Sequence, residues 1–352
     1  MTAGSKSHAW DSRGLETSTT LCRGICKTVG TEYDAIGRAR FITYPDGERV
    51  ENVYDANGNL QSVSGYATNL LWDARGQLTD ADFANGTATS YGYDGTRRWL
   101  ETAEVTDATG LRVYQATYHY DDAGRVTDLD SLTHPGLNQT LVYDDLNRLT
   151  SVEVNGLPSQ DQSFGYDPLG NFTTNSREGS YTYDPAHPHA VKTAGGATYT
   201  YDANGNMLTG NGRTLTWDAV NRLSSVTMTG QTTRFWYDHQ GRRVEKSGPA
   251  GTSKYFGRLV EVDDGQLVQY YYAGPMLIAK KQGGNKTWFH SDHLGSVRLM
   301  TNASGTVVKR YEYAAFGETI AETSGGPANE RGFTGHVSDP ETGLIYMGAR
   351  YY

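Results

Sequence analysis

Few residues in this sequence combine types and spacing suited to chemistry. His290, Asp292 and His293 fall within four positions, an imidazole and carboxylate pattern able to ligate a divalent metal. On a strand, His290 and Asp292 share one face and His293 points away unless the strand ends there. A metal wants three or four converging ligands, so the expectation here is a hydrogen-bonded structural cluster. Asp339 and Glu341 also share a face and could pair as acid and base, but Asp339-Pro340-Glu341-Thr342-Gly343 has the composition of a turn. Cys22 and Cys26 are the two cysteines of the chain. Without further Cys or flanking His they make poor zinc ligands, and free thiols are expected in preference to a disulfide. No Gly-x-Ser-x-Gly, phosphate loop, His-Glu-x-x-His or dinucleotide fingerprint occurs. The expectation is a chain with no catalytic residues, cofactor or metal of its own.

The elements that must position these residues come from a repeat. An aromatic residue followed by Asp recurs twelve times, from Trp10-Asp11 to Tyr237-Asp238, at intervals of 16 to 27 residues. Eight of the twelve carry Gly three positions after the Asp. Tyr54-Asp55 with Gly58, Tyr201-Asp202 with Gly205 and Tyr237-Asp238 with Gly241 are examples; in Trp217-Asp218 that place is taken by Asn221. Asp at the head of a tight reversal accepts backbone N–H groups, and the closing residue needs positive φ, which Gly tolerates best and Asn next. Each unit is therefore expected to be strand, reversal, strand. Flanks such as Thr233-Arg234-Phe235-Trp236-Tyr237 are aromatic and β-branched, and no segment sustains a helical apolar period with caps. One hairpin cannot bury a face alone, so neighbours must pair into a continuous sheet. The predicted fold is all-β: an array of antiparallel hairpins forming a curved or spiralling sheet. A WD-type propeller fits poorly, since its period is about 40–45 residues with a recurring Gly-His element.

Composition agrees. The chain has 42 Gly and 25 Tyr, and a formal charge of −9 with 31 Lys and Arg against 40 Asp and Glu. Without a basic run there is no electrostatic footprint for nucleic acid or anionic lipid. The first ten residues lack the apolar run of a signal peptide, and no stretch of about 18 apolar residues could span a bilayer.

The twelve units resemble the YD repeats of bacterial RHS proteins, insecticidal toxin-complex subunits and the animal teneurins. The C-terminal third is similar to the RHS repeat-associated core of polymorphic toxins. It contains His290-Ser291-Asp292-His293-Leu294-Gly295, then Tyr313-Ala314-Ala315-Phe316-Gly317, then Asp339-Pro340-Glu341-Thr342-Gly343 running on to Arg350-Tyr351. Residues 1–245 are thus expected to be the YD array and 246–352 the core region. The resemblance implies a spiral β-shell enclosing a C-terminal toxin domain, delivered outside the cell or to its surface as part of a larger protein in bacterial competition. Its partners would be that toxin and further YD repeats of a longer parent chain. In such proteins an Asp-Pro-x-x-Gly-Arg-Phe stretch follows the core and paired aspartates there cut the toxin free. This sequence stops at Tyr352, where that continuation would begin, so a fragment without the releasing chemistry is expected. Even if every residue were strand, at about 16 Å² each, the chain would tile less than the roughly 6,000 Å² around a 100-residue passenger. The alternative is a cell-surface adhesion or glycan-binding module using exposed aromatic rows. Open sheet edges would favour self-association in either case.

Overall fold

The computed structural model describes residues 4–323, 325–326 and 329–352. Each strand pairs antiparallel with the next strand in the chain, so the sheet is a meander. Glu16–Arg23 pairs with Ile25–Tyr33, Ile25–Tyr33 with Ala39–Thr43, and Ala39–Thr43 with Arg49–Tyr54. Nineteen strands follow this rule from Ser5–Trp10 to Ala197–Thr198, and fourteen more from Thr200–Tyr201 to Thr319–Glu322. The two runs meet at Tyr199, whose N–H still donates to Lys192 O at 3.0 Å. The ladder also passes unbroken through residue 245, where Arg243–Gly248 pairs with strands on both sides. Val337–Asp339 and Leu344–Tyr346 form a separate hairpin. Among the described residues the helical turns are three 3-10 segments of three residues each. The fold is all-β and its sheets are not closed.

Alternation explains the first run. In Leu149–Val154, Val152 and Val154 are buried while Glu153 faces out, the pattern of a sheet with one covered face. Later strands lose it: all five residues of Val297–Thr301 are buried, as are Trp288, Phe289 and His290 in Asn285–Ser291. Two layers cover them. On one face Phe256, Val260, Tyr271, Ile278 and Trp288 pack against Tyr44, Val63, Tyr66, Leu70 and Phe83 of the first run. Tyr66 and Tyr271 stack at 3.6 Å between centroids, and Trp288 Nε1 donates to Tyr66 O at 2.9 Å. On the other face Phe289, Val297 and Met300 pack with Phe333 of the C-terminal segment, which farther along sets Tyr351 and Leu344 against Leu215, Leu223 and Phe235. Fully buried side chains such as Leu70 and Ile278 each contribute about 1.5–3 kcal/mol.

The cysteines depart from expectation. Cys22 and Cys26 are cross-strand partners and are disulfide-bonded. Gly24, at φ +71°, reverses the chain so tightly that they meet, a consequence that a C-x-x-x-C spacing does not announce.

Candidate functional site

The Tyr-Asp units build one recurring turn. Asp55 N–H donates to Asn59 O at 2.9 Å and Gly58 N–H to Asp55 O at 3.1 Å. Asp55 Oδ1 accepts the N–H groups of Asn57 and Asn59 at 2.8 and 2.9 Å. Gly58 sits at φ +90°, Gly205 at +83°, Gly241 at +79° and Asn221 at +61°, all in the region where Gly and Asn cost least. Asp202, Asp218 and Asp238 accept the same pair of backbone N–H groups.

From Tyr33 onward the aromatic of each unit reaches back one rung. Tyr54 Oη donates to Ala39 O, Tyr201 Oη to Val191 O, Trp217 Nε1 to Met207 O and Tyr237 Oη to Leu223 O, at 2.7 to 2.9 Å. Where Arg closes the turn it reaches forward. Arg148 is ion-paired with Asp144 at 2.7 Å, lies 4.6 Å over the Tyr166 ring and donates to Asp167 O at 3.1 Å. Arg222 repeats this with Asp218, Tyr237 and Asp238 O. The backbone N–H of Arg148 holds the Asp144 carboxyl below its ordinary value; the Asn206 amide does so for Asp202. In these turns the polar groups are spent on joining rungs. The onward bond from Arg to the next rung depends on which strands are neighbours, and the repeat pattern does not announce it.

The core-signature residues divide among three places. His290 lies between the layers, its Nδ1 3.0 Å from Thr89 Oγ1 and its Nε2 3.1 Å from Thr301 Oγ1. Burial pushes it down to about 3. Asp292 heads another rung turn: its Oδ1 accepts the N–H groups of Leu294 and Ser296, Gly295 takes φ +81°, and Arg298 bonds Oδ2 at 3.0 Å. His293 meets the Tyr118 ring edge-on at 4.6 Å. The triplet does not converge. Phe316 packs edge-on against Phe164 and Phe172, and beside it Gly317 takes φ +95° where a Cβ would strike Phe333.

The third place is a buried ionic cluster beneath the C-terminal segment. Asp339 is fully buried and binds Arg243 at 2.5 Å. Lys246 Nζ lies 3.1 Å from Asp339 Oδ1, close enough for an ion pair though not aligned as a hydrogen bond, and also reaches Glu330 and Glu341 at 3.0 and 3.2 Å. Burial alone would lower Lys246, but Asp339 and Glu330 hold it above its ordinary value. The Arg243 guanidinium lies 4.5 Å from the Tyr346 ring and 4.8 Å from Tyr255. Tyr351 Oη meets Tyr237 Oη at 2.7 Å, Gly343 turns at φ +65° beside Arg213, and Arg350 is exposed, its carbonyl accepting Met347 N–H. Asp339 and Glu341 are thus brought together on Lys246. Arg243 and Lys246, which sequence reasoning missed, carry only a weak signal: two cations inside an otherwise ordinary strand.

An open ribbon of antiparallel rungs, each bonded to its neighbours through an aromatic-Asp turn, is the wall of a YD shell. A family model described as Teneurin YD-shell matches residues 100–352, and one described as RHS Repeat matches residues 72–112. The chain belongs to the RHS/YD-repeat family. It is 33% identical over 166 residues to the tRNA3(Ser)-specific nuclease WapA of Bacillus spizizenii, covering 43% of this chain and 7% of that protein. It is 30% identical over 175 residues to double-stranded DNA deaminase toxin A of Burkholderia cenocepacia, covering 39% and 12%. The crystal structure of TcdB2-TccC3-Cdc42 superposes with a TM-score of 0.81 at 18% identity, over 98% of this chain and 22% of that one. The chain thus spans between 7% and 22% of the length of these relatives, and the shared feature is the shell fold.

Proposed function

We propose that this chain is a structural wall segment of an RHS shell that encloses and helps deliver a toxin domain carried on a longer polypeptide, and that it turns over no substrate itself. The observation that carries the reading is the rung-to-rung bond. The aromatic of one unit donates to the carbonyl of the unit before, so the ribbon lengthens by whole repeats without new contacts. The relatives named as a nuclease and a deaminase toxin support a toxic passenger. They also support a route of action outside the producing cell.

Size supports a wall rather than a whole container. The cleft between the first hairpins and the C-terminal segment holds about 920 Å³, whereas a folded 100-residue passenger of roughly 17 Å radius needs on the order of 20,000 Å³. A glycan-binding role has less to rest on. The exposed large aromatics among the described residues are Trp10, Phe316 and Tyr352, which form no row along the sheet.

The test is passenger protection. A small reporter domain fused after Tyr352 should be cut by protease at the rate of the free reporter, and protection should appear as further YD repeats are added ahead of the array. Protection that never rises with array length, or nuclease or deaminase turnover by the purified chain, would overturn the reading.

A further inference from the structure

The 920 Å³ cleft lies between the first hairpins, the strands flanking Tyr237–Val244 and Tyr255–Leu259, and the C-terminal segment. Its volume suits a bound organic ligand, for which about 300–1,000 Å³ is usual. Its charge opposes that of the molecule. The chain carries nine more acids than Lys and Arg, yet the cleft is lined by seven Lys or Arg against Glu16 and Asp238 alone.

Pairing does not cancel this excess. Arg23, Arg243 and Arg331 are answered by Glu245, Asp339 and Glu261 at 2.7, 2.5 and 2.6 Å, all from outside the cleft wall. The two acids in the wall are occupied, Glu16 by His8 at 2.7 Å and Asp238 by Arg242 at 3.4 Å. Among the described residues Lys6, Lys27 and Arg258 have no acidic partner. The Arg258 guanidinium donates to Gly274 O at 3.5 Å and lies over the Tyr272 ring. Arg243, 5% exposed, also keeps an Nε with no partner.

Register gives the unpaired cations a geometry. Lys6 is opposite Leu21 and Leu21 is opposite Lys27, so the three form one row across adjacent strands. Two strand spacings put the backbones at the two lysine positions about 10 Å apart, with an apolar residue between them. An extended chain shows every second side chain on one face, about 6.6 Å apart, so an acid, an apolar residue and an acid on one face can follow that row within the reach of the lysine side chains. Val29 and Phe256 continue the apolar lining.

We propose that this cleft binds an extended peptide segment that presents carboxylate, apolar and carboxylate side chains on one face, at every second residue, its acids on Lys6 and Lys27 with its apolar residue over Leu21, and its neighbouring residues reaching Arg258, Val29 and Phe256. The inference stands on the cleft and is independent of what the shell encloses. Lys6 and Arg258 are exposed and Lys27 half-buried, so their attraction for such a ligand is screened by water and falls with salt.

The probe is a fluorescein-labelled heptapeptide with glutamate at its first and fifth positions, leucine at its third and seventh and serine between them, titrated with the full chain and followed by anisotropy. Its lysine–leucine counterpart and inorganic phosphate serve as controls. The acidic peptide should bind, the basic one should not, and Lys6→Glu with Lys27→Glu should weaken binding at least tenfold. Arg258→Glu, alone, gives a second reading should the double variant lose its fold. No binding of the acidic peptide, equal binding of the basic one, indifference to both charge reversals, or displacement by millimolar phosphate would each overturn the proposal.

Discussion

The pair Arg148–Asp144 in a rung turn and the pair Arg243–Asp339 beneath the C-terminal segment use the same two side chains under opposite conditions. The first has side-chain exposures of 27% and 24%, the second 1% and 0%. In the turn, water shares the load. Asp144 is held mainly by backbone N–H groups, and losing Arg148 leaves it solvated. In the buried cluster neither charge has water to fall back on, so Arg243 depends on Asp339, and Asp339 on Arg243 and Lys246. Stacking many weak, identical links makes a ribbon that tolerates change at any one rung. A single desolvated pair makes a fastening that tolerates none.

The sharpest way to break this contrast is Asp339→Asn. It leaves Arg243 buried without its counter-charge and should cost about 3–5 kcal/mol, read from the urea midpoint. Hydrogen exchange should rise across residues 331–352. A loss no larger than that of a rung substitution would show that the two pairs are equivalent after all.

A second contrast lies in acid sensitivity. His290 is held down to about 3 against an ordinary 6.5, so the unfolded chain takes up the proton more readily. Its stabilisation is full above pH 6.5 and is lost toward pH 3 at about 1.4 kcal/mol per pH unit. The exposed rung carboxyls behave differently. Asp144 and Asp202 lie below their ordinary 3.8, so their contribution holds above that value and fades only beneath it. The variant His290→Gln keeps an amide for Thr89 and Thr301 and should flatten the stability slope between pH 6.5 and 4. An unchanged slope would assign it elsewhere.

The smallest effect is expected in the ribbon itself. Tyr166→Phe removes the hydroxyl that bonds Leu149 O at 2.7 Å and should cost about 0.5–1.5 kcal/mol. A change as large as that of Asp339→Asn would mean that the rungs fail together.

What could be anticipated divides along the same line. The bonds of Asp55, Gly58 and Asn59 lie within five residues, so residue type and spacing determine them and the turn is visible in sequence. The backward reach of Tyr54 spans 15 residues and follows once strands are paired in order. Thr89 with His290 spans 201 residues, and Arg243 with Asp339 spans 96. No periodicity encodes those meetings; they depend on the ribbon returning against itself. The disulfide is an instructive exception, since its partners are local but depend on the one reversal at Gly24.

The meander has a mechanical consequence. Because each strand is tied to its sequence neighbour, tension applied to the two ends loads the hydrogen bonds one hairpin at a time rather than shearing whole strands together. The long-range clasps, such as Tyr44 to Tyr270 O across 226 residues, must part before the ribbon can straighten. Thereafter it would pay out rung by rung at low force, like a zip, and re-form from whichever hairpin closes first.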